Sequence, residues 1–354
     1  MALKPFLQTP SEWLSQRITQ VAAEITKHHF LAHPQLKRQF GSRGRRKCTE
    51  DTAYHLHFLA EAIAADSPKI FVDYIGWAKI MLLSRGIDPR ELGNSLESMV
   101  SVLQKKAHRT HKEVFVRYIG LAMNALPTLP NSMPTFIDPG APYARIANFY
   151  LNSLLVLDRE KAISGILQEI ENGLSMKDLF HHVLYVVQQE VGRLWQQNQI
   201  TVVQEHFCTA VTDLLTVKLR HGTLNNTREV SALAVCAEGE EHCLGLKMLS
   251  ELLESDGWKV IYIGSKSPTS DVLKYLEAET TDLVVISVAT ALNLGAVRKL
   301  IGSIKALPTR DTPRVMVGGL ALKSNPTLWK TLGADAFADS IVAGLEEANR
   351  LVRQ

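Results

Sequence analysis

Cysteine is scarce in this chain, and the few cysteines stand far apart. Four occur in 354 residues, and no two form a Cys-x-x-Cys pair. They are Cys48, Cys208, Cys236 and Cys243. These spacings fit neither a zinc site nor a disulfide framework. We therefore expect reduced thiols and a cytoplasmic protein.

Long apolar runs and a strong net charge are also missing. No stretch of about 18 apolar residues occurs, so we expect no membrane-spanning helix and no membrane partner. The N-terminal segment MALKPFLQTPSEW lacks the apolar centre of a signal peptide. The net charge of +3 is too small to indicate nucleic-acid binding by itself.

Proline is concentrated in one segment. Residues 127–142 hold Pro127, Pro130, Pro134, Pro139 and Pro142, which are five of the 14 prolines. Such a segment cannot continue a helix and favours extended backbone. We therefore predict a helical domain over residues 1–126, a linker over 127–142, a four-helix bundle over 143–226 and a further domain over 227–354.

The C-terminal domain shows a change of hydrophobic period. The segments VSALAVCA, WKVIYIG, DLVVISVA and RVMVGG are short apolar runs that alternate with helical stretches, and a short strand near DAFA follows. Continuous apolar runs are typical of parallel strands buried on both faces. The predicted fold class is therefore α + α/β, with a doubly wound, flavodoxin-like parallel sheet.

The loop after the first predicted strand carries a histidine that is flanked by a glutamate and a glycine. Glu240 lies two positions before His242, and Gly245 lies three positions after it. A carboxylate can fix the tautomer of a metal-binding imidazole, and a glycine leaves room for a ligand at the start of a helix. The alternative is that His242 is an ordinary polar loop residue.

This pattern resembles the cobalamin-binding signature Asp-x-His-x-x-Gly, with glutamate in place of aspartate. The stretch GLKMLSELLESDGWKVIYIG and the whole segment 230–352 are similar to cobalamin domains. The resemblance implies that His242 is the lower cobalt ligand, supported by Glu240. It further implies that Ser287, Gly318 and Gly319 lie beside the nucleotide tail.

The bundle carries a second constellation. Nine residues separate Trp195 from the pair Glu205–His206, and Thr201 with Gln204 predicts a capping box between them. An indole can stack on a purine, and a carboxylate can accept hydrogen bonds from ribose hydroxyls. The alternatives are a core aromatic for Trp195 and a solvated helix face for the pair.

The Trp-x9-Glu-His spacing resembles the cap of CarH/LitR-type cobalamin photoreceptors, and this implies adenosylcobalamin as cofactor. Two departures matter. Gln196 stands where those receptors have a histidine that can ligate cobalt after photolysis, and no MerR-like helix-turn-helix precedes the cap. We therefore expect no direct binding to DNA.

The N-terminal segment, about residues 13–108, resembles the globin-related domain of RsbR-type sensors. Its combination with a cobalamin core is similar to photocobilins, which implies a linear tetrapyrrole such as biliverdin beside the cobalamin. The histidines available to such a ligand are His28, His29, His33, His55 and His57. The alternatives are haem or an interaction module without ligand, with the basic run RGRRK as a solvated loop.

We accordingly predict a light-sensing, non-enzymatic adenosylcobalamin protein that forms a homo-oligomer and acts on a signalling or enzyme partner. The alternative is a corrinoid protein that serves an enzyme as methyl carrier or mutase component. Such a protein would need a catalytic domain that this sequence lacks. A cobalamin store is a third possibility.

Overall fold

A computed structural model describes residues 8–219, 228–308, 312–323, 325 and 327–352. The chain forms two compact units, residues 1–132 and 133–354. The division falls inside the proline-rich segment 127–142. The boundary that we predicted between residues 226 and 227 lies outside the described residues.

Unit 1, as far as it is described, is helical. Its helices are α1 (Pro10–Ser15), α2 (Ile18–Ala32), α3 (Gln35–Ala64), α4 (Pro68–Leu83), α5 (Pro89–Lys106) and α6 (Arg109–Ala125). The run α3 is interrupted at Gly41, whose φ of +59° favours glycine. The start of α5 follows from local chemistry, because the Asp88 side chain accepts a hydrogen bond from the Arg90 N–H and Pro89 occupies the first turn.

Two sequence expectations for unit 1 change in the structure. The basic run at residues 43–47 is helical and not a loop, and Lys47 pairs there with Glu50 and Asp51 along the helix. Two of the candidate histidines are buried and bonded within the unit. His29 contacts Ser98 at 3.2 Å, and His55 contacts the Tyr74 hydroxyl at 2.7 Å.

Unit 2 begins with the predicted four-helix bundle. Its helices are α7 (Ala144–Leu155), α8 (Arg159–Glu171), α9 (Met176–Asp178), α10 (Tyr185–Gln196) and α11 (Val202–Lys218). A π-helical segment, Leu179–Leu184, joins α9 and α10 into one long helix. The sequence predicted the four-helix bundle but not this π-helical segment.

The parallel sheet of unit 2 has the strand order β2-β1-β3-β4-β5, which is the flavodoxin-like order and confirms that prediction. The strands are β1 (Ser231–Cys236), β2 (Lys259–Gly264), β3 (Leu283–Ser287), β4 (Arg314–Gly318) and β5 (Ala336–Ala338). The surrounding helices are α12 (Leu244–Ser255), α13 (Thr269–Ala278), α14 (Leu294–Lys305), α15 (Leu320–Lys323), α16 (Leu328–Leu332) and α17 (Ile341–Val352). The helix expected over NPTLWKTLG is reduced to the short α16.

One hydrophobic core runs from the bundle into the sheet. Tyr150 and Phe180 of the bundle belong to the same buried cluster as Trp258 and Met316 of the sheet domain. The bundle is therefore a cap fixed to the sheet by shared apolar burial, the main stabilising term in folding. Within the described residues, no helix combines the length and the apolar character needed to cross a bilayer.

Candidate cofactor site

The candidate site lies at the carboxyl ends of the central strands. Strand β1 lies between β2 and β3, so the chain adds β2 on one side of β1 and the later strands on the other side. This reversal of strand order is a topological switch point. Ligands of open α/β sheets bind at such a switch point, outside the carboxyl ends of the strands. The loop after β1 carries Glu240 and His242, and Ser287 ends β3 in register with Gly318 of β4.

Glu240 is a buried carboxylate, only 1% exposed, and hydrogen-bond donors saturate it. Its Oε1 accepts from the backbone N–H groups of Glu241 and His242, both at 3.0 Å. Its Oε2 accepts from the N–H groups of Ala289 and Thr290 at 2.9 and 2.8 Å, and from the Asn293 amide at 3.1 Å. Burial alone would raise the pKa of Glu240, but the hydrogen bond with the His242 side chain and the backbone N–H groups of His242 and Thr290 lower it to about 2.

The imidazole of His242 is oriented by Glu240. Its Nδ1 lies 2.5 Å from Glu240 Oε1, while the side chain is 72% exposed. The hydrogen bond to Glu240 raises the pKa of His242, and the charges of Glu240 and Glu205 act in the same direction. Because Nδ1 is occupied, Nε2 is the ring nitrogen left for a ligand.

The three predicted glycines differ in whether the surrounding backbone leaves room for a side chain. Gly319 has φ +117°, and a Cβ there would lie 2.1 Å from the Val288 carbonyl oxygen. A Cβ on Gly318 would lie 3.1 Å from the Ala338 carbonyl oxygen. A Cβ on Gly245 would meet nothing within 4 Å. The fold itself accounts for Gly318 and Gly319, whereas packing within the described chain does not account for Gly245.

The residues of the cap pattern lie at a corner where one helix ends and the next begins. Trp195 lies in the last turn of α10, half-buried against the shared core. Thr201 and Gln204 form the capping box that starts α11. Glu205 and His206 follow in the first turn, where the His206 Nδ1 and the Glu205 carboxylate are hydrogen-bonded. The side chain of His206 is 75% exposed and that of Glu205 is 27% exposed.

The cap and the β1 loop approach each other. The charge of Glu205 on α11 contributes to the raised pKa of His242, so the two side chains lie within electrostatic range. Beside them, Lys247 of α12 pairs with Asp213 of α11 at 2.5 Å. Of the predicted cap residues, Glu205 is the one that the electrostatics of His242 place near the predicted lower ligand.

Sequence reasoning missed the residues that hold Glu240. Ala289, Thr290 and Asn293 lie 49 to 53 positions farther along the chain, in the loop after β3. No local pattern marks them, and two of them act through backbone N–H groups. The adjacency of the β1 and β3 loops in a flavodoxin-like sheet could have indicated this region.

The donor set fits a cofactor that brings its own metal. Within the described residues, no group of three His, Cys, Asp or Glu side chains could hold an ion. His242 can therefore supply one ligand, which is enough for cobalt that a corrin ring already coordinates. The oriented imidazole and the free space at Gly245 fit such a group.

Comparison with known proteins gives matches over this unit. Residues 230–346 match the family "B12 binding domain", and residues 146–215 match a second family of the same description. The HTH-type transcriptional repressor CarH of Myxococcus xanthus is 26% identical over 175 residues, 49% of this chain and 58% of CarH. The chain therefore spans little more than half the length of CarH.

Corrinoid proteins are similar over the same unit. Dimethylamine corrinoid protein 1 of Methanosarcina acetivorans is 21% identical over 207 residues, 57% of this chain and 95% of that protein. The structure of the monomethylamine corrinoid protein of Methanosarcina barkeri superposes with a TM-score of 0.51 at 18% identity. It covers 59% of this chain and 100% of that chain, and it supports the fold alone.

The cap, the parallel sheet and the His242 loop define a B12-binding module of the Rossmann-like class. The chain is a cobalamin-binding protein whose core is similar to that of CarH.

Proposed function

We propose that this protein is a light sensor that holds adenosylcobalamin between its cap and its sheet, with His242 as the lower ligand. The observation that carries the proposal is the 2.5 Å contact between Glu240 Oε1 and His242 Nδ1, which leaves Nε2 as the ring nitrogen available to a ligand. The upper face is assigned to Trp195, Glu205 and His206, on the cap side of the same region.

The chain's own residues have distinct roles in this proposal. Glu240 fixes the tautomer and direction of His242, and its own orientation is held by the β3 loop. Trp195 offers a flat face to a purine, and Glu205 accepts hydrogen bonds from ribose hydroxyls. Ser287, Gly318 and Gly319 lie along the nucleotide tail, and Gly245 leaves space beside it. When bound, adenosylcobalamin supplies a cobalt–carbon bond that visible light breaks.

A signal follows from contacts that differ between the dark and illuminated states. Trp195 and Glu205 would contact an adenosyl group only while it is attached, so its loss would remove those contacts from the cap. Gln196 cannot replace the lost ligand, because its side chain is an amide and only 3% exposed. The partner that reads this change is a further copy of the chain or a signalling protein.

For unit 1 we propose a linear tetrapyrrole, biliverdin, as a second chromophore. The resemblance of residues 13–108 to globin-related sensor domains supports this. His28 adds support, because its buried Nδ1 has no hydrogen-bond partner among the described residues. His29 and His55, in contrast, are bonded within the unit.

A second candidate function is that of a methyl carrier for a partner enzyme. The similarity to a corrinoid protein along 95% of that protein's length favours it. The two candidates differ at the upper face, because a methyl group gives Trp195 and Glu205 nothing to bind.

The primary test is an absorption spectrum of the full chain, loaded in the dark with adenosylcobalamin and biliverdin, before and after green light. A light sensor gives rapid spectral conversion without added substrate, and bilin binding adds a separate red band. His242→Ala should weaken binding and remove the histidine-ligated spectrum. Stable binding with no light response would contradict the sensor, and an unchanged spectrum in His242→Ala would contradict the lower ligand.

The upper face has its own test in Trp195→Ala. We expect weaker binding of adenosylcobalamin, by about 1 kcal/mol or roughly fivefold, because a stacking partner is lost. Binding of hydroxocobalamin should not change. Trp329→Ala, on the short helix α16, is the matched control. Equal loss for both cobalamins would remove the support for an adenosine-binding cap and favour the methyl carrier.

A further inference from the structure

A chain of hydrogen bonds leads from Glu205 into the interior of the cap. The Thr209 hydroxyl lies 3.1 Å from Glu205 Oε1 and 3.3 Å from Gln188 Oε1. The Gln188 Nε2 donates to Thr212 Oγ1 at 2.7 Å, and Thr212 contacts the Tyr150 hydroxyl at 3.0 Å. This series of hydrogen bonds therefore runs from α11 to α10, returns to α11 at Thr212 and ends at α7.

The hydrogen bonds of Thr212 fix which groups donate and which accept along this series. Thr212 donates its hydroxyl proton to the Cys208 carbonyl at 2.8 Å, so its lone pairs must accept from Gln188 and Tyr150. This places the Gln188 amide nitrogen toward Thr212 and its oxygen toward Thr209. Thr209 then has one proton and two acceptors, Glu205 and Gln188. A change at Glu205 alters the sharing of that proton and hence the bond to α10.

The opposite face of α10 holds the first residues of unit 2, residues 133–137, which we call the connector. The buried carboxylate of Glu190 pairs with Arg193 at 2.6 Å and accepts the Phe136 N–H at 2.9 Å. Arg193 also donates to the Met133 carbonyl at 3.3 Å. Burial alone would raise the pKa of Glu190, but Arg193 and the Phe136 N–H lower it, so the clamp stays charged.

Helix α10 is also preceded by a segment whose hydrogen-bond register differs from that of an α-helix. The π-helical turn Leu179–Leu184 contains one residue more per turn than an α-helix, and such turns occur frequently at functional sites. Gln188 and Glu190 follow within the same rigid helix. A shift of α10 at this turn therefore moves the inner contact and the connector clamp together.

We propose that α10 transmits the state of Glu205 to connector residues 133–137, through Thr209 and Gln188 on one face and the Glu190–Arg193 clamp on the other. The inference deepens the proposed function, because Glu205 is there the group that contacts the upper ligand. Gln188 is in this scheme a positioning residue that contacts no cofactor.

The first test needs no cofactor. Hydrogen exchange of residues 133–142 is measured in the cofactor-free full chain for wild type, Glu205→Ala, Gln188→Leu and the double variant. We expect Glu205→Ala to change the exchange rate of this segment by roughly tenfold, within the range for residues in one network, and to have no such effect once Gln188 is leucine. Gln189→Leu, the same substitution one residue on, should preserve the response to Glu205→Ala. Additive effects in the double variant would overturn the coupling.

The second test uses the loaded protein. Wild type with adenosylcobalamin should show different exchange at residues 133–142 in the dark and after green light, and Gln188→Leu should lose that difference while its spectrum still converts. A converting spectrum with the same difference in both proteins would overturn the inference and leave the light sensor intact. Failure to bind or convert, beside a positive first test, would refute the sensor and leave the coupling through α10 standing.

Discussion

At the scale of single residues, the site depends on one buried carboxylate. Glu240 receives six hydrogen bonds, of which one orients His242 and three come from the β3 loop. A carboxylate is suited to this position because it only accepts hydrogen bonds, and all six partner groups, on five residues, donate. The additional methylene relative to aspartate does not prevent direct contact with the imidazole.

Replacement of Glu240 by glutamine tests this role. A glutamine side chain would place an NH2 group against N–H donors, which it cannot accept from. The hydrogen bonds that hold the side chain would be disrupted, and His242 would lose its fixed orientation. We expect cobalamin affinity to fall by about 10- to 100-fold, which is typical for partners of metal-ligating histidines. Spectroscopic titration measures it. Glu241→Gln is the matched control, because Glu241 is the next residue and its side chain is 75% exposed. Equal affinity in both variants would show that Glu240 does not support the ligand.

Two glycine substitutions separate ligand space from backbone strain. Gly245→Ala should leave the cofactor-free protein as stable as wild type or more so, by up to about 1 kcal/mol, because alanine favours the helix. It should nevertheless weaken cobalamin binding, since the added methyl enters the ligand's space. Gly319→Ala should destabilise the cofactor-free protein by about 1 to 3 kcal/mol, because the Cβ meets the Val288 carbonyl.

Chemical unfolding without cofactor and titration with cobalamin measure the two effects separately. Unchanged cobalamin affinity in Gly245→Ala would mean that no ligand approaches the first turn of α12. An unaffected stability in Gly319→Ala would mean that the backbone around Val288 adapts at little cost.

At the scale of elements, sequence pattern and structure agree where the local chemistry is strong. Apolar runs predicted the strands, and the capping box of Thr201 and Gln204 predicted the start of α11. The segment Leu179–Leu184 was not predictable as π-helical, because its apolar spacing also suits an α-helix and the register depends on neighbouring helices. One alternative for the basic run at 43–47 was a loop, but the run lies within α3, where Lys47 pairs with Glu50 and Asp51.

The candidate site divides in the same way. His242, Glu240, Trp195 and Glu205 were identifiable because they lie close in sequence to other motif residues. Their mutual approach, and the support of Glu240 by the β3 loop, arise from tertiary packing. The Gln188 network was invisible for the same reason, since three helices contribute to it.

The burial of His55 between α3 and α4 predicts that unit 1 is less stable at acidic pH. Burial lowers the pKa of His55 from 6.5 to about 4. Between pH 6.5 and about pH 4 the unfolded state binds a proton that the folded state does not. The contribution of His55 to the free energy of unfolding is therefore fully present above pH 6.5 and is lost as the pH falls toward 4. From pH 7 to pH 5 we expect a loss of about 2 kcal/mol in unit 1.

Hydrogen exchange of α3 and α4 at the two pH values, corrected for its intrinsic pH dependence, measures this loss. His55→Gln should reduce the pH dependence, whereas His108→Gln, at an exposed position, should not. If His55→Gln retains the full slope, another group is responsible for the acid lability.

At the scale of the whole molecule, the cap and the sheet of unit 2 share one hydrophobic core, and a ligand that contacts both elements stabilises both against local opening. In the dark, adenosylcobalamin at 100 times its dissociation constant should stabilise α7 and β4 alike, by about 2.7 kcal/mol. Green light should then lower protection in the cap more than in the sheet, because Trp195 and Glu205 lose their contacts while His242 remains. Methylcobalamin, which offers nothing to Trp195, should protect the sheet and leave the cap close to its cofactor-free state. Hydrogen exchange resolved along the chain distinguishes these cases. Equal protection of cap and sheet by both cobalamins, with no change on illumination, would contradict the sensor and favour the methyl carrier.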